Sequence, residues 1–538
     1  MNLQSEYAFT SQRMVTLAAN GMVASSQALA SQAGLEILKK GGNAVDAAIA
    51  TAAMLVVVEP TSNGFGGDAF AQVWMDGKLY ALNSSGFAPA LLDREAIRKA
   101  VPSGEIPRFG WESVTVPGIP KAWGSLWRRF GSLPFEELLA PAISYAENGF
   151  VVTPVIAKNW KKDFEFYQRA IPNRDSALFA SFFDTFMKDG KTPKAGERYC
   201  FPDHAGTLRE LAATACESFY HGALADRIHE FSVSTGGYLR KEDLERYEAR
   251  WVEPVKVSYR GYEICELPPN GHGLVALMAL NILENFHLQG HRWGEDLHQI
   301  VEAMKLAYED GKEYIADPKC MRVSVEELLD PDYAKARGAL IGEKALDPKA
   351  GNPQKGGTVY FCSADRDGNM VSMIQSNYMD FGSGVVVPGT GIAFHNRGCN
   401  FSMDPTKGNC LAPGKYPYHT IIPGFLMKDG TAVGAFGVMG DFMQPQGHVQ
   451  VITDLLDYAL NPQQALDAPR WRWRHDKTVE VETNFPEKLK QELIERGHDV
   501  VVVEEAAGFG RGQIILRDER GTYTGATEPR ADGAVACY

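Results

Sequence analysis

The residues best placed for chemistry lie in one predicted β-hairpin, at residues 356–376. Two apolar-rich runs flank a turn at 365–369, whose Asp, Gly and Asn residues tolerate the backbone angles of a tight turn. If the turn centres on Asp367, Ser376 faces Thr358 across the strand pair, with Cβ atoms about 4.5–5.5 Å apart. The sequence therefore predicts two hydroxyl groups side by side at the start of the first strand.

The two glycines before Thr358 permit a strained backbone that a side chain would forbid. We hypothesise that Thr358 Oγ attacks the carbonyl of Gly357, and that hydrolysis of the resulting ester releases a chain that begins with Thr358. Its α-amine, with an unperturbed pKa of about 7.7–8, could then accept the hydroxyl proton near neutral pH. A glycine turn entering an ordinary strand explains the same residues, so the pattern alone leaves both interpretations open.

The composition is typical of a water-soluble globular protein. Of 538 residues, 45% are hydrophobic and 22% are charged, and the formal net charge is −13. Because no run of Lys and Arg suggests a phosphate-binding face, nucleic acid is not an expected partner. The polar start of the chain and the lack of a long apolar run predict no membrane contact and a cytoplasmic location.

The eight cysteines are dispersed, without a CxxC pair or a spacing typical of metal ligands. We interpret them as reduced and mostly buried, and we predict neither a metal nor a cofactor. Cys362 is the exception to be weighed, because it lies on the same hairpin face as Thr358 and offers an alternative nucleophile.

The order of predicted elements favours a layered α+β fold over a doubly wound sheet, since strands and helices alternate irregularly. The segment Ala44–Val58 is rich in small residues and predicts a buried helix. The glycine-rich loop at 61–68 enters a strand instead of a helix, which argues against a phosphate site. The polar residues 347–355 predict an exposed tail leading to Gly357, and pieces 1–357 and 358–538 are expected to share one core.

Further motifs extend over nearly the whole chain and together resemble the γ-glutamyltransferase family of N-terminal-nucleophile hydrolases. The resemblance implies a proenzyme with a four-layer αββα fold that cleaves itself before Thr358, giving a large subunit, 1–357, and a small subunit, 358–538. It also implies that Ser376 supports the nucleophile, and that the backbone N–H groups of Gly440 and Asp441 face the developing oxyanion. The matching segments are 30–46, 58–67, 116–118, 133–135, 141–150, 219–222, 243–244, 259–261, 381–384, 437–441 and 528–533.

The candidate substrate-binding residues depart from the family pattern. Arg397 is a candidate carboxylate ligand, because its guanidinium suits a carboxylate bidentately. An Asn at the position of the family's acid keeps hydrogen bonding but drops the charge, and charge-assisted bonds are roughly twice as strong. The departures are Ser85 for an arginine, Asn400 for an acid, His419 and Thr420 for paired serines, Tyr378 for an asparagine, Val359 for a threonine and Asp441 for a glycine.

The resemblance thus predicts a self-processing enzyme that hydrolyses, or transfers the acyl group of, γ-glutamyl amides such as glutathione or related N-acyl amides. An alternative is a cephalosporin or glutaryl amide acylase with an altered acyl pocket. A third possibility, from another class, is an uncleaved binding protein on the same fold. The expected partner is a small-molecule amide, the two pieces are expected to stay associated, and His448 is expected to be structural.

Overall fold

The structure, a computed structural model, describes residues 12–288, 295–348 and 357–538. The α-helices are α1 (Ala28–Lys39), α2 (Ala44–Val58), α3 (Arg94–Ala100), α4 (Ile119–Phe130), α5 (Phe135–Asn148), α6 (Pro154–Ala170), α7 (Ala180–Phe186), α8 (Pro202–Thr214), α9 (Ser218–His221), α10 (Ala223–Ser234), α11 (Lys241–Glu245), α12 (Gly273–Leu283), α13 (Glu295–Tyr314), α14 (Val325–Leu328), α15 (Pro331–Gly338), α16 (Gln444–Leu456), α17 (Pro462–Asp467) and α18 (Glu487–Glu495). Short 3₁₀ turns occur at Trp111–Ser113, Pro318–Cys320, Arg397–Asn400, Asp441–Met443 and Ala506–Phe509.

The strands form two large sheets and three small ones. They are β1 (Thr16–Ala18), β2 (Met22–Ser25), β3 (Asp68–Met75), β4 (Lys78–Ser84), β5 (Phe150–Val151), β6 (Arg198–Tyr199), β7 (Arg250–Val252), β8 (Val255–Tyr259), β9 (Tyr262–Glu266), β10 (Gly357–Ala364), β11 (Met370–Tyr378), β12 (Val386–Val387), β13 (Ile392–Ala393), β14 (Gly424–Lys428), β15 (Thr431–Met439), β16 (Trp471–His475), β17 (Thr478–Glu482), β18 (Asp499–Val503), β19 (Arg511–Arg517), β20 (Tyr523–Thr527) and β21 (Ala534–Cys537). The large sheets have seven strands each, in the orders β21-β2-β10-β11-β3-β4-β7 and β1-β20-β19-β15-β14-β9-β8.

Three apolar cores separate four layers. One core joins α1, α2, α4 and α5 to the sheet that contains β10. A second joins α12, α13 and α16 to the sheet that contains β15. The third lies between the two sheets, where Tyr360 and Cys362 of one sheet meet Phe425 and Ala435 of the other. This arrangement confirms the predicted four-layer αββα fold.

The predicted hairpin is strands β10 and β11, in the predicted register. Val359 pairs with Gln375 and Ala364 with Met370, so the pairing centres on Asp367. Side chains alternate between the faces of a strand. Phe361 lies in the helix-facing core and Tyr360 in the inter-sheet core, so Thr358, two residues before Tyr360, is on the inter-sheet face.

Helix α2 confirms the prediction of a buried helix, because all fifteen of its residues are buried. Helix α6 is a difference. The stretch from 161 to 202 showed no clear periodicity, yet its first residues continue a helix that begins at Pro154. Aromatic residues explain the mixed signal, since Trp160, Phe164 and Tyr167 stack with neighbours from several other segments.

Strands from both sides of residue 357 alternate in the large sheets. In one, β10 pairs with β2 and β11 pairs with β3. In the other, β14 pairs with β9 and β20 pairs with β1. Most of the predicted tail at 347–355, and Gly356 after it, lie outside the described residues. None of the helices in the described part of the chain combines the length and the apolar character that crossing a bilayer requires.

Candidate active site

The hydroxyls of Thr358 and Ser376 are adjacent, as the register predicted. Their oxygen atoms lie 2.9 Å apart, and both residues are buried. Ser376 Oγ also accepts a hydrogen bond from the backbone N–H of Tyr378 at 2.7 Å, and Arg397 Nη2 donates to it at 3.3 Å. The serine hydroxyl is therefore held from three directions and points at the threonine.

The backbone is irregular at the bond before Thr358. Gly357 pairs with Tyr378, one residue out of step with the rest of the ladder. Tyr378 itself has a φ of 74°, a left-handed conformation that side chains other than Gly and Asn rarely adopt. Such conformations cost about 1–3 kcal/mol each and persist only where surrounding contacts impose them. The Gly357–Thr358 peptide thus lies opposite a strained residue.

The predicted oxyanion turn follows β15, which faces β10 across the inter-sheet core. The two strands approach closely at Gly437, where an added Cβ would lie 2.5 Å from the ring of Tyr360. Strand β15 ends at Met439, and Gly440 then has a φ of 142° and Asp441 a φ of 56°. This reversal turns the chain at the end of the sheet where Thr358 begins its strand.

The carboxyl group of Asp441 is buried, and neither of its oxygens makes a well-oriented hydrogen bond with another described residue. Burial raises its pKa to about 7, and the opposite charge of Arg397 and the hydroxyl of Thr420 only partly offset this effect. Near neutral pH this side chain is therefore poised between its neutral and charged forms.

Arg397 connects several of the predicted substrate-binding residues. Its Nη1 donates to Thr420 Oγ1 at 2.5 Å, and its guanidinium lies 4.1 Å from the centre of the Tyr378 ring. The Tyr378 hydroxyl donates to Asn400 Oδ1 at 2.6 Å, and Asn400 Nδ2 donates to the Tyr418 carbonyl at 3.0 Å. The structure thus brings together Thr358 and five of the predicted residues: Ser376, Tyr378, Arg397, Asn400 and Thr420.

Ser85 and His419 lie in a second buried network that adjoins the first. Ser85 Oγ donates to Asn83 Oδ1 at 2.8 Å. His419 Nε2 lies 2.9 Å from Asp68 Oδ2, and burial raises the pKa of Asp68 to about 8 while it lowers that of His419. The low polarity of the site therefore favours an uncharged pair.

Asp68 is a residue that the sequence analysis did not single out. Its only signal was its position directly after the glycine-rich loop. That loop packs against the candidate site, because a Cβ at Gly67 would lie 2.5 Å from the carbonyl oxygen of Ser376. The loop brings two backbones close together, as expected once a phosphate site was rejected.

The alternative nucleophile, Cys362, is disfavoured. It lies on the inter-sheet face and is buried, and this burial strongly raises the pKa of its thiol, so the reactive thiolate is scarce. His448 lies on α16 and its Nδ1 is 2.6 Å from Glu266 within the core, which supports a structural role. All eight cysteines are free.

One cluster has ligand types that could suit a metal. Potential ligand atoms of His298, Glu302 and His498 lie within 4.8 Å of one another, and all three residues are buried. However, Lys305 Nζ lies 2.8 Å from Glu302 Oε1 and 3.4 Å from His498 Nδ1. His298 and His498 also bond to each other at 2.9 Å. A positive charge already occupies this cluster, so we interpret it as a hydrogen-bond network.

Comparison with known proteins agrees with the fold and the site. A glutathione hydrolase-like YwrD proenzyme from Bacillus subtilis is 37% identical over 527 residues, covering 96% of this chain and 98% of that protein. An oxamate amidohydrolase proenzyme from Klebsiella pneumoniae is 34% identical over 535 residues, with 96% and 98% covered. The crystal structure of a cephalosporin acylase from Bacillus halodurans is 55% identical, with a TM-score of 0.95 and with 99% and 98% covered.

The fold and these relatives define an enzyme of the N-terminal-nucleophile hydrolase type, an amidohydrolase or acyltransferase. The profile of the Gamma-glutamyltranspeptidase family matches residues 30–538. The chain belongs to that family, which confirms the resemblance inferred from its motifs.

Proposed function

We propose that the chain is a self-processing amidohydrolase whose nucleophile is Thr358. The observation that carries this proposal is the 2.9 Å approach of the Thr358 and Ser376 hydroxyls at the inter-sheet start of β10. The printed names of two relatives as proenzymes support the processing step. The large subunit would comprise residues 1–357 and the small subunit residues 358–538.

Maturation begins with Thr358 Oγ. Its attack on the carbonyl carbon of Gly357 forms a C–O bond and breaks the C–N bond, while the hydroxyl proton passes to the departing nitrogen. Water then hydrolyses the ester, leaving a carboxylate on Gly357 and a free α-amine on Thr358. The irregular pairing of Gly357 with Tyr378 supports cleavage at this bond.

Turnover uses the same hydroxyl. The α-amine takes the Oγ proton as Oγ attacks the substrate carbonyl, and the N–H groups of Gly440 and Asp441 stabilise the oxyanion, a contribution of about 10² to 10³ in rate for one donor. The proton then passes to the leaving amine as the C–N bond breaks. Water, activated by the α-amine, hydrolyses the acyl ester and regenerates the threonine.

The acyl group is proposed to belong to the γ-glutamyl and related N-acyl amides, with Arg397 and Thr420 near its carboxylate and with Ser85 and His419 behind them. One observation favours a glutaryl-type group, which has a carboxylate but no α-amine. Both amide atoms of Asn400 already bond to the protein, and its oxygen accepts from Tyr378, so it is poorly placed to receive an ammonium group. The likeness to a cephalosporin acylase supports the same choice.

Three chains test the proposal: wild type, Thr358→Ala and Thr358→Ser. Wild type should split on a denaturing gel, with a smaller piece whose sequence begins Thr-Val-Tyr. Thr358→Ala should remain one inactive chain, and Thr358→Ser should still split, because it keeps the hydroxyl. An intact yet active wild-type chain, or cleavage of Thr358→Ala at Gly357, would refute the nucleophile assignment. A wild-type chain that stays intact and inactive would favour the binding-protein alternative.

Rates on γ-glutamyl and glutaryl 4-nitroanilides, measured side by side, test the acyl group. We expect the glutaryl amide to be hydrolysed faster. A strong preference for the γ-glutamyl amide would contradict the altered pocket and leave the nucleophile assignment intact.

A further inference from the structure

A cavity of about 360 Å³ adjoins the oxyanion turn, with Gly440 and Phe442 in its wall. None of Tyr378, Arg397 and Asn400 lines it, so it is distinct from the candidate acyl-binding residues and meets them at the turn. The basic side chains in its wall are those of Arg108, Lys162, Arg169, Arg472, Arg474 and Arg511. The acidic ones are Asp163, Asp380 and Glu505.

Positive charge is in excess around Arg474. Arg472 and Arg474 share one carboxylate, since Arg472 Nε lies 2.9 Å from Glu480 Oε2 and Arg474 Nε lies 3.4 Å from Glu480 Oε1. Only 18% of the Arg474 side chain is exposed to solvent. The second guanidinium therefore lacks a carboxylate of its own in a partly desolvated place, where an added anion would be stabilised.

Other basic residues of the wall have hydrogen-bond donors to spare. Arg108 is paired with Asp380, and Arg511 is paired with Glu59. Yet the Nε atoms of Arg108 and Arg511 are buried and have no hydrogen-bond partner in the described part of the chain. Buried donors are normally satisfied, so these atoms point to a polar occupant of the cavity.

Arg474 is also near the site of reaction. It is close enough to Asp441 that the two side chains influence each other's pKa, and Asp441 directly follows the oxyanion residue Gly440. A group bound to Arg474 therefore lies within a short distance of the carbonyl that Thr358 would attack.

We propose that this cavity binds the carboxylate of the leaving amine, with Arg474 as its main ligand. This inference rests on the proposed function and extends it from the acyl group to the other half of the amide. The preferred substrates are then amides of amino acids, of short peptides or of other amino carboxylates, and simple alkyl or aryl amines leave the cavity charge unmatched.

The test compares two glutaryl anilides that differ by one carboxylate, the 4-nitroanilide and the 3-carboxy-4-nitroanilide. Wild type should prefer the carboxylated amide in kcat/KM by about tenfold, the effect of roughly 1.4 kcal/mol. Arg474→Gln should lose that preference and change the rate on the plain anilide by less than about twofold. Arg474→Lys should keep part of it, because the charge remains.

The control is Arg520→Gln, which removes an exposed arginine paired with Asp518 at the far end of β19 from Arg511. It should behave as wild type. Equal rates of wild type on both anilides, or an undiminished preference in Arg474→Gln, would overturn the proposal.

A binding measurement separates this inference from the proposed function. Calorimetry with 5-amino-2-nitrobenzoate, the carboxylated leaving amine, needs no turnover. It should bind wild type about tenfold more tightly than Arg474→Gln, and 4-nitroaniline should not distinguish the two. If neither anilide is hydrolysed but this difference is found, the proposed reaction fails and the anion site stands. Equal binding of 5-amino-2-nitrobenzoate to both chains would refute the site.

Discussion

The hydroxyl of Ser376 contacts three groups with different demands. It meets the Thr358 hydroxyl, accepts from the Tyr378 backbone and receives a donor of Arg397. A hydroxyl has one proton to donate and two lone pairs. With both lone pairs engaged by the N–H donors, its own proton is directed towards Thr358 Oγ, where it can steady the oxygen while that atom carries developing negative charge.

Removing this hydroxyl should slow the reaction more than it weakens the fold. Hydrogen bonds to charged groups contribute about 1.5–3 kcal/mol, so Ser376→Ala should lower kcat by roughly 10- to 100-fold. The matched control is Ser372→Ala on the same strand face, whose hydroxyl bonds to Tyr360 at 2.8 Å and not to Thr358. Equal losses of kcat in both variants would contradict a specific role of Ser376.

At the scale of elements, two turns set the site. The oxyanion turn brings Gly440 and Asp441 to the end of β15, and the hairpin turn at 365–369 fixes the register of β10 against β11. Asp365 stabilises the second turn, because its carboxylate accepts from Asp367 and Asn369 and from the N–H of Ala44 in the first turn of α2.

Asp441 should give the reaction a pH dependence. Because its pKa is raised to about 7, the side chain is mainly neutral below that pH and becomes an anion beside the oxyanion turn above it. The ratio of kcat/KM between Asp441→Asn and wild type should therefore rise as pH increases through 7. Measured pH–rate profiles of both chains check this.

The control for that profile is Asp476→Asn, which changes another aspartate at positive φ, 46°, whose side chain is 63% exposed. Its ratio to wild type should stay flat with pH. A flat ratio for Asp441→Asn as well would show that the Asp441 charge does not affect the reaction.

Asp365→Ala should destabilise the protein by about 1.5–3 kcal/mol, since it removes an acceptor that links the hairpin to α2. The exposed Asp367 in the same turn is the comparison, and Asp367→Ala should change stability by less than about 0.5 kcal/mol. Thermal unfolding of the two variants checks the difference, and similar melting temperatures would contradict the link.

At the scale of the whole molecule, the two seven-stranded sheets are built from both sides of residue 357. The pairs β2–β10, β3–β11, β9–β14 and β1–β20 each join one strand from each side. The inter-sheet core likewise draws residues from both, including Phe70 and Tyr360.

The proposed large and small subunits should therefore behave as one body. After cleavage they should co-elute in size-exclusion chromatography and unfold in a single thermal transition, because separating them would expose both apolar cores and unpaired strand edges. Two separate transitions, or dissociation in non-denaturing buffer, would contradict this expectation.

The sequence was most informative where structure is local. The Thr358–Ser376 pair follows from hairpin register alone, and the fully buried α2 follows from its small apolar residues. Asp68, Arg108 and Arg474 were not predicted, because they reach the site from segments hundreds of residues from Thr358 or from strands outside its sheet. Long-range juxtaposition of this kind leaves no periodic signal.

The interweaving of the sheets also fixes an order of events in the life of the molecule. The proposed scission requires Ser376 opposite Thr358, and that pairing exists only once β11 has joined β10 and the neighbouring strands from the first part of the chain. A newly made polypeptide must thus complete its architecture before it can cut itself. The appearance of two bands in a cell extract would then serve as a built-in certificate that a given copy has matured correctly.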